Sequence, residues 1–103
     1  MKIRTTNQKC SELATNLIEF KANNIFSEYI KNDKLYVIYS YGYHFPMYVK
    51  YKNTWYENSD KYSVSTSKQQ SQSRPSYKTK LKTTKQLKDI IYNKSLRKEC
   101  EAI

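Results

Sequence analysis

The alternation of apolar and polar positions divides the chain into a helix, a run of short strands, a long polar stretch, one more strand and a second helix. Leu13, Leu17 and Phe20, with Ala14 and Ile18 beside them, recur at three- and four-residue spacings. That spacing predicts a helix over residues 11–23, with Ser11 as N-cap and Glu12 in the first turn. Residues 1–9 are polar and read as a flexible arm. Strands are predicted across residues 25–57. Ile25 to Ile30 is rich in β-formers and ends at the polar turn Lys31-Asn32-Asp33-Lys34. Leu35 to Tyr41 is the clearest strand. Leu35, Val37, Tyr39 and Tyr41 share one face, and Tyr36, Ile38 and Ser40 the other. Both faces are largely apolar or aromatic, so this strand is expected at the centre of a sheet. Gly42 and Pro46 interrupt the pattern. Met47, Val49 and Tyr51 then alternate with Tyr48 and Lys50. Lys52-Asn53 suits a tight hairpin turn, with Thr54 to Glu57 as the return strand.

Residues 58–75 read as a polar loop, with room for one helical turn near Ser67 to Gln72. Period two returns over residues 76–82, where Lys78, Lys80 and Lys82 share one face, as suits an edge strand. Thr83 and Gln86 fit a T-x-x-Q capping box that opens a helix over residues 84–98, with Leu87, Ile90 and Ile91 as its buried stripe. Residues 99–103 form a tail. A chain of 103 residues patterned in this way is a single domain. The expected class is α+β: an antiparallel sheet of about four or five strands, with an N-terminal and a C-terminal helix packed on one face.

Composition sharpens this picture at two points. Apolar residues make up only 38% of the chain, and eleven tyrosines fill part of the gap, because a tyrosine ring can be buried while its hydroxyl finds a partner. The formal charge is +10, and it is unevenly placed: +1 over residues 1–30, +1 over 31–60 and +8 over 61–103. Such a field attracts polyanions. The same abundance of Lys, Tyr, Asn and Ile also follows from an AT-rich genome, so composition by itself leaves both readings open.

Other classes find little support. Cys10 and Cys100 stand near opposite ends without a CxxC, and the single His44 does not complete a zinc set, so no metal or cofactor is expected. Whether the two cysteines pair stays open. No apolar stretch has the length to cross a bilayer or to act as a secretory leader, which predicts a cytoplasmic protein with no membrane partner. No paired carboxylates, phosphate-cradling glycine loop or catalytic spacing around His44 appears, so no catalytic residue is assigned.

The candidate chemistry is therefore binding. Arg74, Lys78, Lys80, Lys82, Lys85 and Lys88 form a basic cluster fit to hold phosphates, with Tyr43 and Tyr48 as candidate stacking rings. The partner would be DNA or RNA, although no RNP-type motif is present. A second, polar set comprises His44, Lys61, Ser63, Ser67, Lys68 and Gln72, whose hydroxyl, amide and basic groups suit a phosphate or a polar partner. The segments SYGYHFPMYV, WYENSDKYS and TSKQQSQSRP resemble a family of small proteins encoded by bacteriophages and plasmids. The resemblance covers about Tyr36 to Pro75. It departs from the family at Gln69, where a histidine often follows the Lys of TSK. The resemblance brings no activity with it. It implies an origin in a mobile element and a polar segment that belongs to the shared module; the function expected is that of a non-catalytic nucleic-acid-binding accessory protein in the host cytoplasm. It also admits two rivals to nucleic-acid binding: an inhibitor of a host protein or nucleoprotein complex, and a virion-associated or structural protein.

Overall fold

The computed structural model describes residues 2–30, 33–43, 45–60 and 64–92, with side chains from residue 69 onward in the last segment. Seven strands form one mixed sheet in chain order: β1 (Ile3–Arg4), β2 (Phe20–Lys21), β3 (Ile25–Ile30), β4 (Leu35–Ser40), β5 (Pro46–Tyr51), β6 (Thr54–Asn58) and β7 (Thr79–Lys82). From β2 to β6 the sheet is an antiparallel meander. A parallel strand is added at each edge, β1 beside β2 and β7 beside β6. Three helices complete the described residues: α1 (Cys10–Thr15), α2 (Val64–Ser73) and α3 (Thr84–Tyr92). The class is α+β, as expected. The sheet is larger than the expected four or five strands and is not purely antiparallel.

The two parallel edges dictate where the first two helices go. Parallel neighbours need a crossover connection, and α1 and α2 are the two crossovers. β1, β2, β6 and β7 all run in the same direction, and both crossovers step the same way across the sheet. A single handedness therefore puts both helices on one face, where they pack against each other. Cys10 and Ala14 of α1 join Phe20, Tyr36, Ile38, Tyr48 and Trp55 in the core on that side. α3 covers the opposite face, packing Leu87, Ile90 and Ile91 on Leu35, Val37, Tyr39, Val49 and Tyr56. The expectation of helices on one face is corrected accordingly. Its physical cause lies in β4, whose six residues are all buried, so both of its sides need cover.

Four local departures have identifiable causes. The N-terminal helix is α1 alone, shorter than 11–23. It stops because Leu17 takes a left-handed conformation (φ 57°). The Leu17 and Ile18 N–H groups then donate back to the Ala14 and Leu13 carbonyls at 3.0 and 2.9 Å, closing a Schellman motif. Phe20 leaves the helical stripe and enters β2. The predicted arm over 1–9 contains β1, whose Ile3 N–H reaches the Glu19 carbonyl at 3.1 Å. In β5 a bulge makes Met47 an extra residue, since Ile38 faces Tyr48 and Tyr39 faces Pro46. Met47 thereby joins the cluster of Tyr48 and not that of Val49.

The largest departure is α2, inside the predicted loop 58–75. This helix buries amides and hydroxyls instead of an apolar stripe. Gln69, Gln70 and Ser73 are all buried. The Ser40 hydroxyl donates to Gln69 Oε1. Gln70 Nε2 donates to the Asn58 carbonyl at 2.9 Å, and the Tyr48 hydroxyl donates to the Gln70 carbonyl at 2.8 Å. Asn58 continues the network, its amide donating to the Pro46 carbonyl at 2.7 Å and to Thr84 Oγ1 at 3.0 Å. The capping box at the start of α3 forms reciprocally: Thr83 N–H to Gln86 Oε1 at 2.9 Å, and Gln86 N–H to Thr83 Oγ1 at 3.3 Å. Beyond Tyr92 the rest of the predicted helix over 84–98 and the tail over 99–103 lie outside the described residues, as does Cys100.

Candidate nucleic-acid interface

The basic cluster read from the sequence separates into groups with different surroundings. β7 is an edge strand in parallel register with β6, where Lys80 pairs with Tyr56 and Lys82 with Asn58. Paired residues point to the same side, so Lys80 and Lys82 stand on the side covered by α3. Lys82 Nζ lies 5.9 Å from the Tyr56 ring centroid. Lys85 is exposed on the outward side of α3 and Lys88 is half-buried on its flank. Arg74 is committed to the fold. Its Nη1 and Nη2 donate to the two Glu57 carboxylate oxygens at 2.7 and 2.8 Å, and these bonds push the guanidinium pKa up further. Glu57 also accepts the Thr79 hydroxyl at 2.7 Å. Arg74 is therefore removed from the set of free phosphate contacts.

The two candidate rings diverge. Tyr48 is fully buried, with its hydroxyl on the Gln70 carbonyl and burial pushing its pKa upward. It is a core residue and offers no face to a base, which corrects its assignment as a stacking ring. Tyr43 is 54% exposed and packs edge-on against Phe26 and Tyr39, with centroids 5.2 and 5.0 Å apart. The nearby Glu28 charge raises its pKa. Of the polar set, His44, Lys61 and Ser63 lie outside the described residues, and Ser67 and Lys68 are placed in α2 by backbone alone. Gln72 accepts a hydrogen bond from Asn7 Nδ2 at 3.4 Å and lines a cleft of about 620 Å³ with Arg4 and Lys21 at the other end of the sheet.

The structure assembles a different basic site, at the end of the sheet where β4 and β7 begin and β5 ends. The pairs Leu35–Tyr51, Tyr51–Thr54 and Trp55–Thr79 bring these ends together. A cleft of about 550 Å³ is lined there by Lys50, Asn53, Thr54, Trp55, Tyr77, Lys78, Thr79 and Lys80. A second cleft of about 370 Å³ shares Lys50 and Asn53 with it and adds Leu17, Tyr29, Lys34, Tyr36 and Lys52. These two adjoining clefts, named together as the trough, are lined by five lysines and four aromatic residues, of which Trp55 and Tyr36 are buried and Tyr77 is exposed. Among the described residues no Asp or Glu lines either cleft. The charged side chains of the lining are therefore of one sign, while carboxylates stand behind it: Glu19 Oε2 accepts the Tyr29 N–H and Glu57 Oε1 the Thr79 hydroxyl, both at 2.7 Å.

Each contributor is held by local structure. Lys34 and Lys52 sit in the turns before β4 and after β5, both left-handed at φ 53° and 56°. The Lys52 N–H donates to the Lys34 carbonyl at 3.2 Å, joining the two turns into one wall. Lys50 is anchored by its Nζ donating to the Lys52 carbonyl at 2.8 Å. Lys78 and Lys80 line the cleft from the open edge of the sheet, where Lys80, paired with Tyr56, stands on the α3 side and Thr79, paired with Trp55, on the side of the floor. Trp55 forms floor and is only 3% exposed; its indole N–H has no acceptor among the described residues. Tyr77 precedes β7 and is 56% exposed. Lys78 and Lys80 are thus the two predicted phosphate contacts that the trough includes.

Sequence reading missed Lys34, Lys50, Lys52, Tyr29, Trp55 and Tyr77. One signal was available. In a meander successive turns alternate between the two ends of the sheet, so the turns at Lys31–Lys34 and Lys52-Asn53 must fall side by side. No group of three or more His, Cys, Asp or Glu among the described residues is arranged to hold a metal ion. No helix among them is long and apolar enough to cross a membrane. No family model matches the chain, and no match to it was found among curated proteins or solved structures.

Proposed function

We propose that the protein is a non-catalytic nucleic-acid-binding accessory that takes its ligand in the trough between Lys34 and Lys80. The observation that carries this reading is the lining itself: five lysines and the exposed ring of Tyr77, with no carboxylate among the described lining residues. Lysines neutralise phosphates and release condensed counterions, while exposed aromatic rings offer faces to bases. Lys82 and Lys85 extend the positive field beyond the rim, where they add attraction without a fixed contact. The resemblance to bacteriophage and plasmid proteins fits an accessory of this kind, working on nucleic acid in the cytoplasm of a host cell.

The test is fluorescence anisotropy with labelled oligonucleotides at low salt. The wild-type chain should bind. The triple variant Lys50→Gln/Lys78→Gln/Lys80→Gln should lose most of that affinity, while Lys85→Gln/Lys88→Gln should lose little. Absence of wild-type binding at low salt, or a triple variant that binds like wild type, would refute the proposal.

A further inference from the structure

We infer that the trough accepts a single polynucleotide strand in preference to a duplex, an inference that rests on the nucleic-acid reading above. Three features of the site point to it. The first is shape. A duplex presents a major groove about 12 Å across, with both backbones outside it. Duplex readers push a convex helix or ribbon into that groove, whereas this site is concave and must receive its ligand.

The second feature is the exposed ring. Tyr77 lies beside Lys78 at the mouth of the cleft, and more than half of it is open to solvent. Bases within a duplex are stacked on one another and show only their edges to a protein. A single strand can turn a base face onto a tyrosine while the neighbouring phosphates meet lysines. The alternation of Tyr77, Lys78, Thr79 and Lys80 sets ring and charge on alternate sides of one short edge segment, so a strand that crosses the edge meets both. The third feature is the Trp55 indole N–H, a buried donor in a lining residue without an acceptor among the described residues. Oxygen and ring-nitrogen acceptors on an unpaired base are the class of group that would satisfy it. In a duplex many of those acceptors are already engaged in base pairing.

The experiment compares single-stranded DNA, single-stranded RNA and a duplex of equal length at one salt concentration, with wild type, Tyr77→Ala and Tyr77→Phe. Both single strands, or one of them, should bind at least on the order of tenfold more tightly than the duplex. Tyr77→Ala should weaken single-strand binding on the order of tenfold, and Tyr77→Phe, which keeps the ring, should restore it. A preference between DNA and RNA identifies the strand and supports the inference in either direction. A duplex that binds as tightly as the single strands overturns the inference while leaving nucleic-acid binding in place. So does single-strand binding indifferent to Tyr77→Ala. No binding to any of the three removes both.

Discussion

Replacing Tyr48 by Phe isolates one hydroxyl at the junction of sheet and helix. The Tyr48 O–H donates to the Gln70 carbonyl at 2.8 Å, in surroundings that are fully buried. Gln70 belongs to the last turn of α2, where carbonyls run short of donors within the helix. Phenylalanine keeps the ring, its packing beside Ile38 and Trp55, and its position 5.8 Å from the Arg74 guanidinium. The change therefore removes a hydrogen bond and leaves a buried acceptor without this donor, at a cost of about 1–2 kcal/mol. Equilibrium unfolding in urea should show a lower midpoint with an unchanged slope, because the surface exposed on unfolding is nearly the same. For a domain of this size each kcal/mol corresponds to a Tm shift of about 4–8 °C. Nucleic-acid affinity, measured where both proteins are folded, should not change. Stability equal to wild type would refute the bond. Intact stability with lost affinity would return Tyr48 to the binding surface.

Two further outcomes follow from groups whose titration the fold alters. Asp60 accepts the Thr84 N–H at 2.8 Å, and hydrogen bonds from Thr84 hold its carboxyl below the usual range. Its contribution is present above the unfolded-state value and lost as pH falls through the folded value. Asp60→Asn should therefore lower Tm at neutral pH, and the gap to wild type should close in the acid limb of a pH series; a gap independent of pH would contradict this. Cys10 is fully buried, and burial pushes its thiol up to about 12. In a Cys100→Ser background a thiol reagent at neutral pH should label Cys10 only as fast as the protein opens, and rapid labelling of folded protein would oppose its burial.

The strands β3 to β6 were legible because their β-branched and aromatic residues alternate between polar turns, and α3 because Thr83 and Gln86 announce its start. The length of α1 was misread, since Leu13, Leu17 and Phe20 fall at helical spacing although Leu17 is the left-handed residue that ends the helix. No apolar periodicity marks α2, because what it buries is Gln69, Gln70 and Ser73, whose partners Ser40, Tyr48 and Asn58 lie far away in sequence. The face of Met47 was misassigned because a bulge shifts the alternation by one residue, and alternation alone does not reveal a bulge. The β7 lysines were found by their period of two. Their companions Lys34, Lys50 and Lys52 were not, because a trough built from two turns and a parallel edge strand depends on register, and register is a long-range property.

The most direct measurement is the salt dependence of single-strand affinity, followed through the fluorescence of Trp55, the chain's one tryptophan. If all five trough lysines engage phosphates, log affinity should fall with log salt at a slope of about −3.5, a loss of about 100-fold between about 50 and 200 mM. Lys78→Gln/Lys80→Gln should reduce the magnitude of that slope by about 1.4 and leave Tm nearly unchanged. A slope near zero, or one that the double variant does not alter, would contradict the account.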